Sequence, residues 1–239
     1  MVLPFAHGGG LSDYLSKRAK KLNWINRLDV LRFILYGLVD LHNKGMVHRD
    51  FHPGNLLHYR RTISVSDLGL SGPIYVTEAP QTVGVLPYMA PEIINRKPYT
   101  KAADIYSVGM IMWLLTSGQQ PFSDRPHDVT LAIDICSNVR PKIIKGTPPV
   151  YEDWMKKCWH PDPDKRPTAK ELYQQVLNWL NKFNKDPSSD IVQQFTKSKL
   201  KSLDRTYTLN SCGQYVSRDH TQLSKKLVDH FESMHQILT

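Results

Sequence analysis

Apolar residues recur at Leu28, Leu31, Ile34, Leu35, Leu38 and Leu41, close to the 3.6-residue period of a helix with one buried face. The pattern predicts a helix from about Asn26 to Lys44, with Gly45 as its stop. Leu56 and Leu57, then Ile63 and Val65, predict two short strands about a turn at Tyr59–Thr62. From Thr100, a natural N-cap, to about Thr116 the chain is apolar nearly all round, so this helix should lie mid-domain. Its lone acid, Asp104, then needs a partner. Further helices are expected from near Val129 and from Thr147-Pro148-Pro149, the latter with proline in its first turn. Thr168 with Glu171 forms a capping box for a last core helix carrying Leu172, Val176 and Leu180.

Beyond Asn181 the composition turns polar, and Pro187-Ser188-Ser189 signals a linker. Helical spacing returns through Leu223, Leu227, Phe231, Met234 and Leu238, a segment that could dock in cis or on a partner. At the other end, Gly8-Gly9-Gly10 marks a connector leading into a helix. The expected organisation is a connector over residues 1–10, one mainly α domain over 11–181 with a short β-hairpin, a polar linker over 182–218, and an amphipathic helix over 219–239. The tail as a whole is expected to be partly disordered.

At 239 residues and 41% hydrophobic, the chain can bury one substantial core. The longest strongly apolar stretch, Tyr106 to Leu115, is too short to span a bilayer, and the first residues do not read as a signal peptide. The net charge of +9 is spread without an arginine-rich arm, which reads as a solvated surface rather than a nucleic-acid site. Cys136, Cys158 and Cys212 are isolated, which suggests buried thiols in a reducing, intracellular compartment.

The chemistry concentrates in His48-Arg49-Asp50-Phe51-His52-Pro53-Gly54-Asn55. A loop carboxylate, Asp50, can accept a proton from a substrate hydroxyl, and Asn55 can reach a metal ion or Asp50 itself. Asp67 follows in Ser66-Asp67-Leu68-Gly69, giving oxygen ligands suited to Mg²⁺ and a polyphosphate. Together with Ala90-Pro91-Glu92, Asp104 and Arg166 in this order, the pattern resembles the catalytic domain of eukaryotic protein kinases. The string CWHPDPDKRPTAKEL is similar to the end of kinase domains in the tyrosine-kinase-like branch.

The resemblance spans roughly residues 3–180 and implies a kinase carboxy-terminal lobe that uses ATP and Mg²⁺ on a protein substrate, serine or threonine before tyrosine. It implies that Asp50 is the catalytic base, that Asn55 and Asp67 are the metal ligands, and that Leu57 lies under the adenine. Glu92 and Arg166 would form a buried ion pair, and Asp104 would hold the backbone of the His48-Arg49-Asp50 loop. Leu68 to Glu92, with Tyr75, Thr77, Thr82 and Tyr88, resembles an activation segment whose phosphate Arg49 would receive. Residues 1–10 would be a hinge remnant. No glycine-rich phosphate loop or strand lysine precedes them in this sequence, so the chain by itself is expected to be inactive. Three positions depart from the family. His52 stands where serine/threonine kinases usually carry lysine, Val85 where threonine is common, and Leu68 where phenylalanine is usual. An inactive scaffold and an unrelated helical binding module remain the alternatives.

Overall fold

The computed structural model describes residues 9–18, 21–59, 62–73, 83–200, 218–222 and 225. Helix α1 (Leu11–Arg18) leads into the long helix α2 (Trp24–Asn43). The Asn23 side chain caps α2 by accepting a hydrogen bond from the Asn26 amide. Gly45 ends it in the left-handed region at φ +71°, as a C-terminal glycine should. The expected stripe is the buried face, with Leu28, Leu31, Ile34, Leu35 and Leu38 all inaccessible.

Strand β1 (Met46–Val47) pairs with β4 (Gly72–Pro73), enclosing the expected hairpin of β2 (Leu56–Tyr59) and β3 (Thr62–Val65). Leu56 faces Val65 and Tyr59 faces Thr62 in antiparallel register. Strand β5 (Val83–Gly84) is followed by the short helix α3 (Pro91–Ile94) and then α4 (Lys101–Ser117), buried on every side from Ala103 to Thr116. Thr100 occupies the N-cap of α4 with no capping bond from its side chain. Helix α5 (Val129–Cys136) packs against α3, and α6 (Pro149–Cys158) packs against α4. Gly109 lets α4 approach closely, since a Cβ there would stand 3.0 Å from Cys158 Cβ and 3.1 Å from the Trp159 nitrogen.

Helix α7 (Ala169–Lys185) opens with the full capping box of Thr168 and Glu171 and packs against α2. Its buried stripe is Leu172, Val176 and Trp179, while Leu180 is partly buried at its edge. Helix α7 continues to Lys185, and the stretch expected as a polar linker contains helix α8 (Asp190–Lys197). Ile191, Val192 and Phe195 fall on one face of α8, too few positions to stand out against the polar background. Phe195 nevertheless enters an aromatic cluster, with ring centroids 5.3 Å from Trp24, 5.6 Å from Trp179 and 5.7 Å from Phe183. Trp24 Nε1 donates to Ser198 Oγ at 2.8 Å and closes the joint.

Within the segment 219–239, Asp219 lies in strand β6 (Arg218–Asp219), which pairs with β5. The remainder of that expected helix lies almost wholly outside the described residues. No helix among the described residues is long and apolar enough to cross a membrane.

Candidate active site

Asp104 is 2% exposed, so its charge must be compensated within the protein. Its Oδ2 accepts from the His48 amide at 2.9 Å and faces His42 Nε2 at 2.9 Å, while Oδ1 accepts from the Arg49 amide at 3.2 Å. The most buried helix of the fold thus anchors the loop that follows α2. His48 is fully buried, with Nδ1 accepting from the Asp50 amide at 3.4 Å and Nε2 donating to the Ser66 carbonyl at 3.1 Å. Arg49 adopts a left-handed φ of +71°, a conformation that costs a non-glycine residue on the order of 1–3 kcal/mol. The Asp104 bond to its amide helps hold it there.

Asp50 is almost buried, and Asn55 fixes it twice. Asn55 Nδ2 donates to the Asp50 carbonyl at 2.9 Å and to Oδ2 at 3.2 Å. This leaves the Asn55 amide oxygen as the acceptor that a cation would use. His52 Nδ1 accepts from the Gly54 amide at 3.1 Å, which puts the ring hydrogen on Nε2, 3.4 Å from Asp50 Oδ2. Tyr99 also stands in this cleft beside Arg49, with their ring and guanidinium 5.9 Å apart. Burial, with the charges of Asp50 and Asp104 adding to it, raises the Tyr99 hydroxyl well above its ordinary range and keeps it neutral.

Asp67 sits past the open end of the hairpin at φ +55°, exposed, with Oδ1 accepting from the Gly69 amide at 3.4 Å. The Ser66 amide and hydroxyl both donate to the Asn55 carbonyl, at 2.8 and 2.9 Å. The hairpin thereby brings Asn55 and Asp67 to one end, and an amide oxygen and a carboxylate are the hard oxygen donors that Mg²⁺ takes. Leu57, half-buried on β2, bridges to Gly10, and the His58 amide donates to the Gly9 carbonyl at 3.0 Å. The glycine connector therefore lies along the strand that would floor a nucleotide.

Arg49 Nη2 donates to the Pro73 carbonyl at 3.0 Å, and its Nε is buried with no hydrogen-bond partner among the described residues. A side chain at Gly72 would collide with this guanidinium, because its Cβ would lie 2.9 Å from Nη2. Below the cleft, Arg166 meets Glu92 in a two-pronged ion pair at 2.6 and 2.8 Å. Thr77 and Thr82 lie outside the described residues.

The structure therefore brings His48, Arg49, Asp50, His52, Asn55 and Asp104 together, joins Asp67 through Ser66, and sets Glu92 and Arg166 apart as a strut. Sequence reasoning missed three contributors. His42 partners Asp104, Tyr99 faces the carboxylate, and Gly84 packs so close that a Cβ on it would lie 3.6 Å from Asp50 Oδ1. Each reaches the site across a long sequence separation, and no local pattern marks any of them.

Comparison with known proteins agrees with this geometry. The family described as "Protein tyrosine and serine/threonine kinase" matches residues 1–176. A putative serine/threonine-protein kinase/receptor of Acanthamoeba polyphaga mimivirus is 30% identical over 189 residues, covering 77% of this chain and 12% of its own length. A mitogen-activated protein kinase kinase kinase of Drosophila melanogaster is 30% identical over 192 residues, covering 74% and 16%. A serine/threonine/tyrosine-protein kinase of Arabidopsis thaliana is 34% identical over 173 residues, covering 70% and 44%. The chain thus spans less than half the length of each of these relatives. An anchored aspartate held by an asparagine five residues on, within a sequence matched over three quarters of its length, makes this chain a member of the protein tyrosine and serine/threonine kinase family.

Proposed function

We propose that this chain is the catalytic lobe of a protein kinase that transfers the γ-phosphate of ATP to a protein hydroxyl, serine or threonine in preference to tyrosine. The observation that carries the reading is the double hydrogen bond from Asn55 to Asp50, on a loop whose amides are fixed by Asp104. Asp50 is held to take the proton of the acceptor hydroxyl, the role of a positioned general base. His52 offers its Nε2 hydrogen toward the same carboxylate and takes the place of the usual lysine. Asn55 and Asp67 would hold Mg²⁺, which when bound offsets the charge of the phosphates. Leu57 would contact the adenine, with the Gly9–Gly10 backbone beside it.

Arg49 is suited to receive a phosphate from the segment that contains Thr77 and Thr82, since its Nε has no hydrogen-bond partner among the described residues and a guanidinium binds phosphate through two donors. The serine/threonine preference rests on the name of the mimivirus relative, a serine/threonine-protein kinase/receptor. A reducing compartment fits the thiols, because burial pushes Cys136 up to about 11 and leaves it protonated and unreactive.

The test is ATP-dependent labelling of a generic serine/threonine protein substrate by the full-length protein, wild type against Asp50→Asn. Loss of the base should lower transfer by on the order of 10²-fold or more, with the thermal midpoint unchanged. Undiminished transfer removes Asp50 from the mechanism. Wild-type protein that binds partners but never transfers phosphate supports the inactive scaffold instead.

A further inference from the structure

The chain folds back onto its own candidate active site along β5. Val83 pairs with Asp219 and Gly84 with Arg218, in antiparallel register. His220 adds a contact from Nε2 to the Gly84 carbonyl at 3.2 Å. Asp219 Oδ1 accepts from the Thr221 amide at 2.8 Å, which turns the chain away after the strand. Gly84 is the residue that stands against the Asp50 carboxylate, and it lines one cleft with Asp50, His52, Val85 and Tyr88. Residues 218–220 therefore run beside the group that would act on an incoming hydroxyl.

The chemistry of this contact is main chain to main chain. A strand edge presents amides and carbonyls to any extended segment that can pair with them, and affinity in such strand addition comes from the backbone. Gly84 has a φ of +155°, and its bare Cα allows a second chain to come close beside Asp50.

We infer that β5 is a docking edge for extended peptides, and that residues 218–220 of the same chain fill it and exclude acceptor peptides from Asp50. The inference rests on the reading of Asp50 as a phosphotransfer base, but its test does not. A two-residue ladder is weak by itself, and its strength comes from tethering. A segment on the same chain acts at an effective concentration on the order of millimolar, so one of roughly 0.1 mM intrinsic affinity should weaken a competing peptide by about tenfold.

A fluorescent peptide of residues 214–222 serves as the probe, titrated by anisotropy into the full chain and into an Arg218→Pro, Asp219→Pro variant. The prolines remove whichever strand amide faces β5, and Asp219 is exposed. The variant should bind the peptide about tenfold more tightly, and the β5 amide that faces β6 should lose slow hydrogen exchange. His220→Ala should shift affinity in the same direction by a smaller factor. Equal affinities for wild type and variant, or no binding to either, overturn the inference. Tighter binding to a variant that transfers no phosphate would uphold the docking edge and count against the proposed function. Asp50-dependent transfer with unchanged peptide affinity would do the reverse.

Discussion

Glu92 and Arg166, remote in sequence, meet as a fork-to-fork ion pair with N···O distances of 2.6 and 2.8 Å. The Arg166 side chain is wholly buried and donates further to the His160 carbonyl at 2.8 Å and the Ala102 carbonyl at 3.0 Å. Glu92 opens α3 at the end of the β5 segment, and Ala102 lies in the first turn of α4. One guanidinium therefore ties the floor of the cleft to the central helix.

Removing one partner of such a pair leaves a buried charge without compensation, at roughly 3–5 kcal/mol. Arg166→Ala should lower the urea midpoint by a corresponding amount. The double variant Arg166→Ala, Glu92→Ala should lose less than the two single losses combined, because it buries no orphaned charge. Strict additivity in the denaturation series would show that the pair contributes nothing as a pair.

The pair was legible in the sequence through its family motif alone; no periodicity points to it. Helices α2, α4 and α7 were legible for a different reason, because their signals are local: a repeated apolar spacing, an all-round apolar run, a capping box. The hairpin was read from alternation and a turn, and with it the placement of Asn55 near Asp67. What escaped was set by tertiary contact. Helix α8 offers three apolar positions and becomes a helix worth burying only when Trp24 and Trp179 are there to receive Phe195. Trp179 rather than Leu180 faces the core for the same reason: the cluster needs an aromatic ring, and a one-residue choice of face is beyond a 3.6-residue pattern. The pairing of β5 with β6 joins two residues to two, with nothing in either stretch to announce it.

Asp104 invites a direct test of the loop anchor. Asp104→Ala strips the acceptor from the His48 and Arg49 amides and the partner from His42. Each buried donor left unsatisfied costs about 1–3 kcal/mol, so stability should fall by several kcal/mol. The His48 and Arg49 amides should exchange fastest relative to wild type. Asp104→Asn keeps one acceptor oxygen and should lose about half as much. Unchanged exchange at both amides in Asp104→Ala would show that Asp104 does not anchor the loop.

Gly37 in α2 sets two effects of opposite sign against each other. Replacing a helical glycine by alanine ordinarily gains roughly 0.5–1 kcal/mol. Here the new methyl would stand 2.7 Å from Val65 Cγ2 on β3, a distance no pair of carbons tolerates. Overpacking of that kind costs about 1–3 kcal/mol, so Gly37→Ala should be destabilising on balance. Trimming Val65 to alanine in the same protein should recover most of the loss. The thermal midpoints of the two single variants and the double variant decide it. A midpoint that rises in Gly37→Ala alone would mean that β3 shifts freely, which would also loosen the hairpin that carries Asp67.

The last prediction concerns the end of the lobe. If α8 were an incidental turn on a linker, shaving its one aromatic residue would matter little. Phe195 is fully buried, packs on Trp24, Trp179 and Phe183, and lies on a helix held by the Trp24–Ser198 hydrogen bond. Val192 is buried on the same face, and the Gln194 side chain accepts from the Val150 amide at 3.0 Å, which ties α8 to the start of α6. Deleting a buried aromatic side chain costs about 3–5 kcal/mol, the larger part when rigid neighbours cannot collapse into the space. The three surrounding rings are themselves buried or half-buried and branch from two helices, Trp24 from α2 and Trp179 and Phe183 from α7, so little collapse is open to them. Phe195→Ala should therefore cost about 3 kcal/mol or more. Urea denaturation followed by tryptophan fluorescence is well placed to measure it, since Trp24 and Trp179 report from the cavity wall. A loss below about 1 kcal/mol, the level of an ordinary surface change, would return α8 to the linker and the end of the domain to the close of α7.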